Sequence, residues 1–466
     1  MLKKPALYTD FYELTMAQGY YLSGKYNQTA VFDYFFRKLP FHNGYVIFAG
    51  LGDLLEVLQN FHFHKDELKY LKEQGFKDEF LNYLRDFRFK GDIWSVNEGE
   101  IIFPNEPVLH VEANIIEAQI IETLLLNLIN FESLIATKAA RIVKVALNKP
   151  VVDFGLRRSQ GTGGMQASKA AVIGGVNSTS NAAAGFEHQL PVSGTMAHSW
   201  IQFYEDELKA FRTYAEFYPD ATILLVDTYD TLKSGLPNAI TVARELENKG
   251  HKLKGIRLDS GDLAYLARKS RKMLDSAGLD YVQIVASNQL NEHVIKSLNE
   301  QNAPIDLFGV GTNLVTAFDN PALDGVYKLS RVGQKPSLKI SENIEKITLP
   351  DIKKIYRYKN EDGSFNSDGI TLESESAPDN IIHPLYPLKT KNVSSLESEQ
   401  IVHQVVKNGK VTIEIPSAKE SGKYARQRLG KLNEEHKRFS NPHIYKVGIS
   451  KALQKLRDQL LEERGV

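Results

Sequence analysis

Six short apolar or β-branched runs constrain this chain more than any other feature. From Lys149 onward VVDF, LPVSG, TILLVDT, LKGIRLDS, VQIVASN and IDLFGVGT recur in order. The segments between them, such as SWIQFYEDELKAFRTYAEFY and GDLAYLARKSRKMLDSAG, have the length and apolar spacing of crossover helices. Strands that read as nearly continuous apolar runs are buried on both faces, the condition of a parallel sheet covered by helices. Six such units fit a barrel or barrel-like sheet. An open doubly wound sheet is the alternative, and periodicity does not separate the two.

Polar residues are not scattered through this repeat. Each run ends in a group suited to binding: Asp153 with Arg157 and Arg158; Ser193, Thr195 and His198; Asp227 with Thr228; Arg257 with Asp259 and Asp262; Ser287 with Asn288; and Gly309 to Thr312. In barrels and open α/β sheets alike, the C-terminal strand edge is where loops converge and ligands bind. One such group is explained as a helix cap; six at the same edge make a site.

The flanking regions have a different texture. Residues 1–148 mix strands and helices without alternation and are expected to form an α+β domain. VFDYFFRKLP has strand composition, LGDLLEVLQNF has helical spacing, and GEIIFPNEPVLHVEA reads as a hairpin turning at Pro104 to Pro107. A helical region follows from Ile115 to Leu147, on which Lys138, Arg141 and Lys144 fall at steps of three. Taken alone, that stripe reads as a solvated face. After residues 149–325, the barrel-like domain, the alternation stops. Residues 326–466 are expected to form a C-terminal segment, partly returning to the first domain. It contains strands at VYKLSRV and PSLKIS, a polar run with turn residues (EDGSFNSDG), and two surface helices in the tail, SAKESGKYARQRLGKLNEEHKRF and Ile449 to Arg464.

Composition narrows the chemistry. At 466 residues, with 42% hydrophobic and 24% charged residues, the chain has ordinary globular proportions and room for more than one core. Basic and acidic residues balance at 57 each, so no global field draws nucleic acid, and an anion must be held by a local cluster. The absence of cysteine excludes disulfides, thiolate nucleophiles and cysteine metal sites, and fits a cytoplasmic protein. The most apolar stretch, IIETLLLNLINF, is too short and too polar to span a bilayer.

Four motifs carry the chemistry. Arg157 and Arg158, followed by Gly161, Gly163 and Gly164, suit phosphate oxygens, with glycines letting backbone amides approach; the alternative is an ion pair beside a flexible turn. The loop matches neither the Walker A nor the GxGxxG pattern. In GIRLDSGDL, capping explains one acid but not all, and Asp259 and Asp262 suit sugar hydroxyls or a magnesium ion. FGVGTN is read as a phosphate cup rather than a plain turn. His198, at a helix start, is either an ordinary polar group or a base, phosphate acceptor or nucleophile. His62 and His64 lack companions for a metal set.

Taken together and in order, YTDFYELTMAQGY, FGLRRSQG, SGTMAHSW, GIRLDSGDL and FGVGTN resemble the motifs of the nicotinate phosphoribosyltransferases, nearly end to end. The resemblance implies a type II phosphoribosyltransferase: an irregular, incomplete α/β barrel beside an N-terminal α/β domain, with a further C-terminal segment. It implies transfer of phosphoribosyl from phosphoribosyl pyrophosphate (PRPP) to nicotinate, coupled to ATP through a phosphohistidine, with magnesium required. His198 matches the phosphorylated histidine, and Thr195 and Arg257 match nicotinate-contacting positions. Tyr12 matches an aromatic ligand-site residue, which in this family can come from the partner subunit of a homodimer. Asp259 and Asp262 would face the ribose hydroxyls and magnesium, Gly311 and Thr312 the 5-phosphate, and Arg157 and Arg158 the phosphates or pyrophosphate. Neither nucleic acid nor a membrane is implied as a partner. Nicotinamide phosphoribosyl transfer, a catalytically silent nucleotide-binding regulator, and a sugar-phosphate aldolase or isomerase barrel are the competing readings.

Overall fold

Residues 4–343 and 346–465 are described by the computed structural model. Contacts divide the chain into two compact units: residues 135–321 form one, and residues 1–134 with 322–466 form the other.

The unit 135–321 is built on six strands: β1 (Val151–Asp153), β2 (Ser178–Thr179), β3 (Ile223–Leu225), β4 (Gly255–Leu258), β5 (Gln283–Ala286) and β6 (Leu307–Val310). All pairings are parallel, in the order β2-β1-β6-β5-β4-β3. That order decides between the two architectures left open by periodicity. It is the cyclic order of a barrel, with the first and last strands, β1 and β6, paired in register Phe308 to Val151. One pairing is missing among the described residues, between β2 and β3. The fold is therefore an α/β barrel opened at a single seam.

The seam has a local cause. LPVSG, expected as a strand, contributes only an isolated bridge from Val192 to Thr179. The Pro191 carbonyl accepts from the Thr179 amide, but proline has no N–H to return. The two-residue strand Ser178–Thr179 takes the sheet position instead. Helices cover the other connections, and side chains start them: Asp206, Asp262 and Asn291 each accept a backbone N–H at the first turn. The run expected as one crossover breaks at Glu205, at φ 58°, into helices His198–Tyr204 and Glu207–Phe217.

Lys138 and Arg141 are not on a solvated face. Both are buried, with Lys138 Nζ 2.7 Å from Glu292 Oε2 and Arg141 Nε 3.1 Å from Glu292 Oε1. Lys144 is exposed.

The other unit contains a seven-stranded antiparallel sheet with Thr29–Phe36 near its centre, flanked by Leu109–Asn114 and by Gly325–Val332 from the C-terminal segment. The hairpin expected across Pro104 to Pro107 does not form. Ile101–Ile102 pairs with Val46–Ile47, while Leu109–Asn114 joins the large sheet. Glu106 folds back onto the Phe103 amide at 2.9 Å and Asn105 adopts φ 64°, so the two strands diverge between sheets. Of PSLKIS, only Pro336 is in a strand, as the end of Lys335–Pro336.

The polar run after it is better ordered than its composition indicates, since Lys353–Lys359 and Phe365–Leu372 pair as a hairpin. Its interior charges are matched: Arg357, fully buried, lies 2.6 Å from both Glu100 Oε1 and Asp368 Oδ2. The tail helix Ala418–Lys431 is not wholly superficial, because Arg428 is buried on Glu100 at 2.8 Å. No helix among the described residues is long and apolar enough to cross a membrane.

Candidate active site

The C-terminal ends of β1, β4, β5 and β6 are neighbours because the strands carrying them are paired. Not every polar group at that edge faces outward. Asp153 at the end of β1 is fully buried and saturated: its Oδ1 accepts from the Gly155 amide at 2.8 Å, and its Oδ2 from the Ser168 and Thr179 hydroxyls at 2.8 and 2.7 Å. It ties β1 to β2 and to the helix Gly163–Ile173, and so serves the frame.

Arg257, on β4, is the hub of the edge. Its Nε donates to Ser287 Oγ at 2.8 Å, its Nη2 to Asp259 Oδ1 at 2.8 Å, and its Nη1 to Thr195 Oγ1 at 2.9 Å. The Ser287 hydroxyl donates in turn to Asp259 Oδ1 at 2.5 Å. Beneath lies Phe154, its ring centroid 5.3 Å from the guanidinium carbon, a favourable cation–π separation. Gly309 admits that ring, since a Cβ there would fall 2.4 Å from Phe154 Cε2. Burial pushes the Asp259 carboxyl up, but the Ser287 hydroxyl, the Arg257 guanidinium and His198 outweigh it and hold the group below the usual carboxylate range.

His198 opens the helix His198–Tyr204. Its Nδ1 is 3.0 Å from Thr228 Oγ1, which orients the ring. Its Nε2 faces two carboxylates just beyond hydrogen-bond range, at 3.9 Å from Asp227 Oδ1 and 3.8 Å from Asp259 Oδ2. Asp227 Oδ2 is used by the Asp259 amide at 2.8 Å and the Ser260 hydroxyl at 2.7 Å. Asp227 Oδ1 is buried with no hydrogen-bond partner among the described residues. An unpaired carboxylate oxygen costs free energy where it is, and one beside a histidine at a strand end marks a place prepared for a ligand.

The remaining candidates stand at neighbouring turns. Arg157 and Arg158 lie in the 3-10 turn Leu156–Arg158 after β1, exposed. Neither side chain has an ion-pair or hydrogen-bond partner among the described residues, although the Arg158 amide donates to the Gly155 carbonyl at 2.8 Å, so the ion-pair alternative is not what the turn shows. Gly161, at φ 51°, continues their loop in the left-handed region. Asp262 is a helix cap, its Oδ1 accepting from the Tyr265 amide at 2.9 Å, with Oδ2 outside the cap. Gly311 precedes the one-turn helix Thr312–Val315. Tyr12 belongs to the other unit, exposed on the helix Phe11–Leu22.

Thus Thr195, His198, Arg257 and Asp259 converge with Asp227, Thr228, Ser287 and Phe154. Arg157, Arg158, Asp262, Gly311 and Thr312 make no hydrogen bond to that set among the described residues. The polar additions were marked in the sequence by their strand-end positions. Phe154 carried a fainter mark, an aromatic just past one apolar run, its partner glycine lying in another run far along the chain.

The arrangement can bind an anion at Arg257, hold cationic or hydroxyl groups at the carboxylates, and present an oriented imidazole between them. No group of three or more His, Asp or Glu among the described residues is arranged as a metal set.

Comparison with known proteins agrees with this architecture. The chain matches the nicotinate phosphoribosyltransferase (NAPRTase) N-terminal domain over residues 7–130, the NAPRTase family over 150–365 and the C-terminal domain over 352–457. It is 43% identical to nicotinate phosphoribosyltransferase of Bacillus subtilis over 456 residues, covering 96% of this chain and 93% of that one. It is 38% identical to the Dictyostelium discoideum enzyme of the same name, covering 96% and 86%. The crystal structure of human nicotinic acid phosphoribosyltransferase superimposes with a TM-score of 0.86 at 30% identity, covering 97% of this chain and 99% of that one. Nicotinate-nucleotide pyrophosphorylase from Pyrococcus furiosus shares the fold, with a TM-score of 0.72 at 24% identity over 91% and 94%. With all three family segments present in order and a relative of that identity matched nearly end to end, this chain belongs to the nicotinate phosphoribosyltransferase family.

Proposed function

We propose that this chain transfers the phosphoribosyl group of PRPP to nicotinate, giving nicotinate mononucleotide and pyrophosphate for NAD salvage, and couples that transfer to ATP through a phosphohistidine at His198. The observation that carries the reading is the hydrogen-bonded set of Arg257, Asp259, Ser287 and Thr195 beside an oriented His198 at one barrel edge.

The reaction forms a bond from the pyridine nitrogen to the anomeric carbon as the bond to pyrophosphate oxygen breaks. It passes through an oxocarbenium-like state, so the protein must hold two anions and exclude water rather than supply a nucleophile to carbon. Arg257 has five N–H donors. One on Nε, one on Nη2 and one on Nη1 are engaged by Ser287, Asp259 and Thr195. A second N–H on Nη2 is open, and one on Nη1 meets only the Met196 carbonyl at 3.4 Å. Those two suit the nicotinate carboxylate, with Thr195 beside them.

Ionised Asp259 suits the ribose hydroxyls, with Asp262 one turn on. Gly311 and Thr312 suit the 5-phosphate, and the unpaired Arg157 and Arg158 the leaving pyrophosphate. Magnesium takes one or two carboxylates plus substrate phosphates, so the lack of a larger protein donor set does not count against it. The buried, unpaired Asp227 Oδ1 fits it, with Asp259 as the second donor; Asp262, a helix cap, does not complete a three-carboxylate set with them. Bound there, the ion would supply neutralisation of the phosphate charge.

Phosphorylation of His198 would bring about −1.5 to −2 charges next to Asp227 and Asp259. That repulsion is the physical basis for coupling, because it rearranges the loops that grip substrate. Tyr12, exposed on its helix, would reach the nicotinate site of a second copy in a homodimer. The enzyme would work in the cytoplasm, without nucleic acid or membrane.

The test is ATP stimulation. In pyrophosphate-release assays, His198→Ala should lose the stimulation by ATP while keeping some uncoupled transfer; full stimulation in that variant would remove His198 from the coupling.

A further inference from the structure

We infer that Asn313 is a positioning residue for base recognition: buried in the turn after β6, it clamps the strained loop after β5 and so keeps Ser287 on Arg257 and Asp259. The inference rests on the reading above, in which Arg257 meets the nicotinate carboxylate.

Asn288 and Gln289, the two residues after Ser287, have φ of 78° and 48°. Consecutive non-glycine residues in the left-handed region are unfavourable and persist only where the surroundings hold them. On one side, the sheet holds this loop, since the Ser287 amide donates to the Leu258 carbonyl at 2.9 Å. On the other, the holder is Asn313. Its Nδ2 donates to the Leu290 carbonyl at 2.9 Å and to the Gln289 carbonyl at 3.2 Å. Asn313 is 7% exposed and Leu290 2%, so water does not replace the bond to Leu290; Gln289 itself is exposed.

The chemistry requires an amide. Two carbonyls need an NH2 group with two hydrogens, which asparagine has and an isosteric carboxylate lacks. The last residue of FGVGTN therefore points away from the phosphate cup read in that motif, to the neighbouring loop.

What the clamp protects is stereochemical. Ser287 Oγ accepts from Arg257 Nε at 2.8 Å and donates to Asp259 Oδ1 at 2.5 Å, fixing the plane of the guanidinium fork. If Asn288 and Gln289 relax toward ordinary backbone, the serine swings off and the fork loses its lateral support. A tilted fork keeps its charge but no longer presents both Nη atoms to a planar carboxylate. The effect should fall on nicotinate more than on PRPP.

The experiment uses the full chain with Asn313→Ala, the volume-conserving Asn313→Asp, Ser287→Ala, the double variant Asn313→Ala with Ser287→Ala, and Asn313→Ala carrying Asn288→Gly and Gln289→Gly. KM for nicotinate and for PRPP, kcat, and the urea unfolding midpoint are measured for each. Asn313→Ala and Asn313→Asp are expected to raise nicotinate KM about tenfold, the loss of a buried hydrogen-bonded clamp, with PRPP KM changed less. The double variant should resemble Ser287→Ala alone in both KM and midpoint, since the two residues act in series. The glycine pair, comfortable at positive φ, should restore much of the nicotinate KM.

Additive effects of the two alanines, or an unchanged nicotinate KM with either Asn313 variant, would overturn the proposal. If Arg257→Ala leaves nicotinate KM unchanged, the assignment of the carboxylate to Arg257 fails instead. In that case the coupling of Asn313 to Ser287 is still decided by the urea midpoints, which need no substrate.

Discussion

Arg257 is already held for binding, because Ser287, Asp259 and Thr195 fix its plane while leaving hydrogens on both Nη atoms. Lysine at that position keeps the charge and loses the fork. Arg257→Lys should raise nicotinate KM about 10- to 100-fold, in line with about 1.5–3 kcal/mol for a charged hydrogen bond, with kcat changed less; steady-state kinetics with nicotinate varied checks this. Asp259 sets a pH limit. Its carboxyl is held below the usual range, so its folded-state value lies under its unfolded one. The stability it contributes is present above the unfolded value of about 4 and is lost as pH falls through the folded value. Asp259→Asn should therefore be less stable than wild type at neutral pH, with the gap closing on acidification below about pH 4; urea titrations at several pH values would show it. A gap that widened on acidification would contradict the shift.

Among the elements, the helix Glu122–Val145 and the helix Glu292–Glu300 meet through buried charge rather than apolar surface at one point. Lys138 and Arg141 share Glu292, and burial pushes that carboxyl up while Lys138 and Arg141 hold it below its ordinary value. Removing Glu292 takes the shared buried carboxylate from both cations, although Lys138 keeps Asp319 at 3.4 Å. Glu292→Ala should cost about 3–5 kcal/mol, measured by urea unfolding. The periodic stripe of cations in the sequence could not distinguish this from a solvated face, because their partner lies on a helix over 150 residues further on. The same limit applies to FNSDGITL, whose buried Asp368 is satisfied by Arg357 across the hairpin and by Tyr445 from far along the chain. By contrast, β1 and β3 to β6 were legible, since an apolar run between helical segments is a local signal. The pairing order of the strands was not local, and neither was the inward turn of Asp153. The edge on which the site would form was readable from composition at strand ends. Which of those groups touch one another depended on side-chain geometry that no spacing encodes.

For the molecule as a whole, the opened barrel and the returning chain each have a consequence. The missing pairing between β2 and β3 leaves β3 at the end of the sheet, while β2 is covered there only by the isolated Val192 bridge; β5 is paired on both sides. Native-state hydrogen exchange should find the amides of β3 opening faster than those of β5; equal protection would mean that the seam is closed in solution. The C-terminal segment supplies Gly325–Val332 against Thr29–Phe36, a strand whose residues after Thr29 are all buried. Deleting residues 322–466 should then expose a long apolar edge and yield aggregated chain rather than an independent N-terminal domain, read by the soluble fraction on expression.

Choice of the acid over the amide rests on Arg257. Initial rates of pyrophosphate release with nicotinate and with nicotinamide, at fixed PRPP, for wild type and Arg257→Ala, test it most directly. Wild type should prefer nicotinate, and Arg257→Ala should lose most of that preference while retaining PRPP binding. Equal or faster turnover of nicotinamide by wild type, or an unchanged preference in the variant, would contradict it.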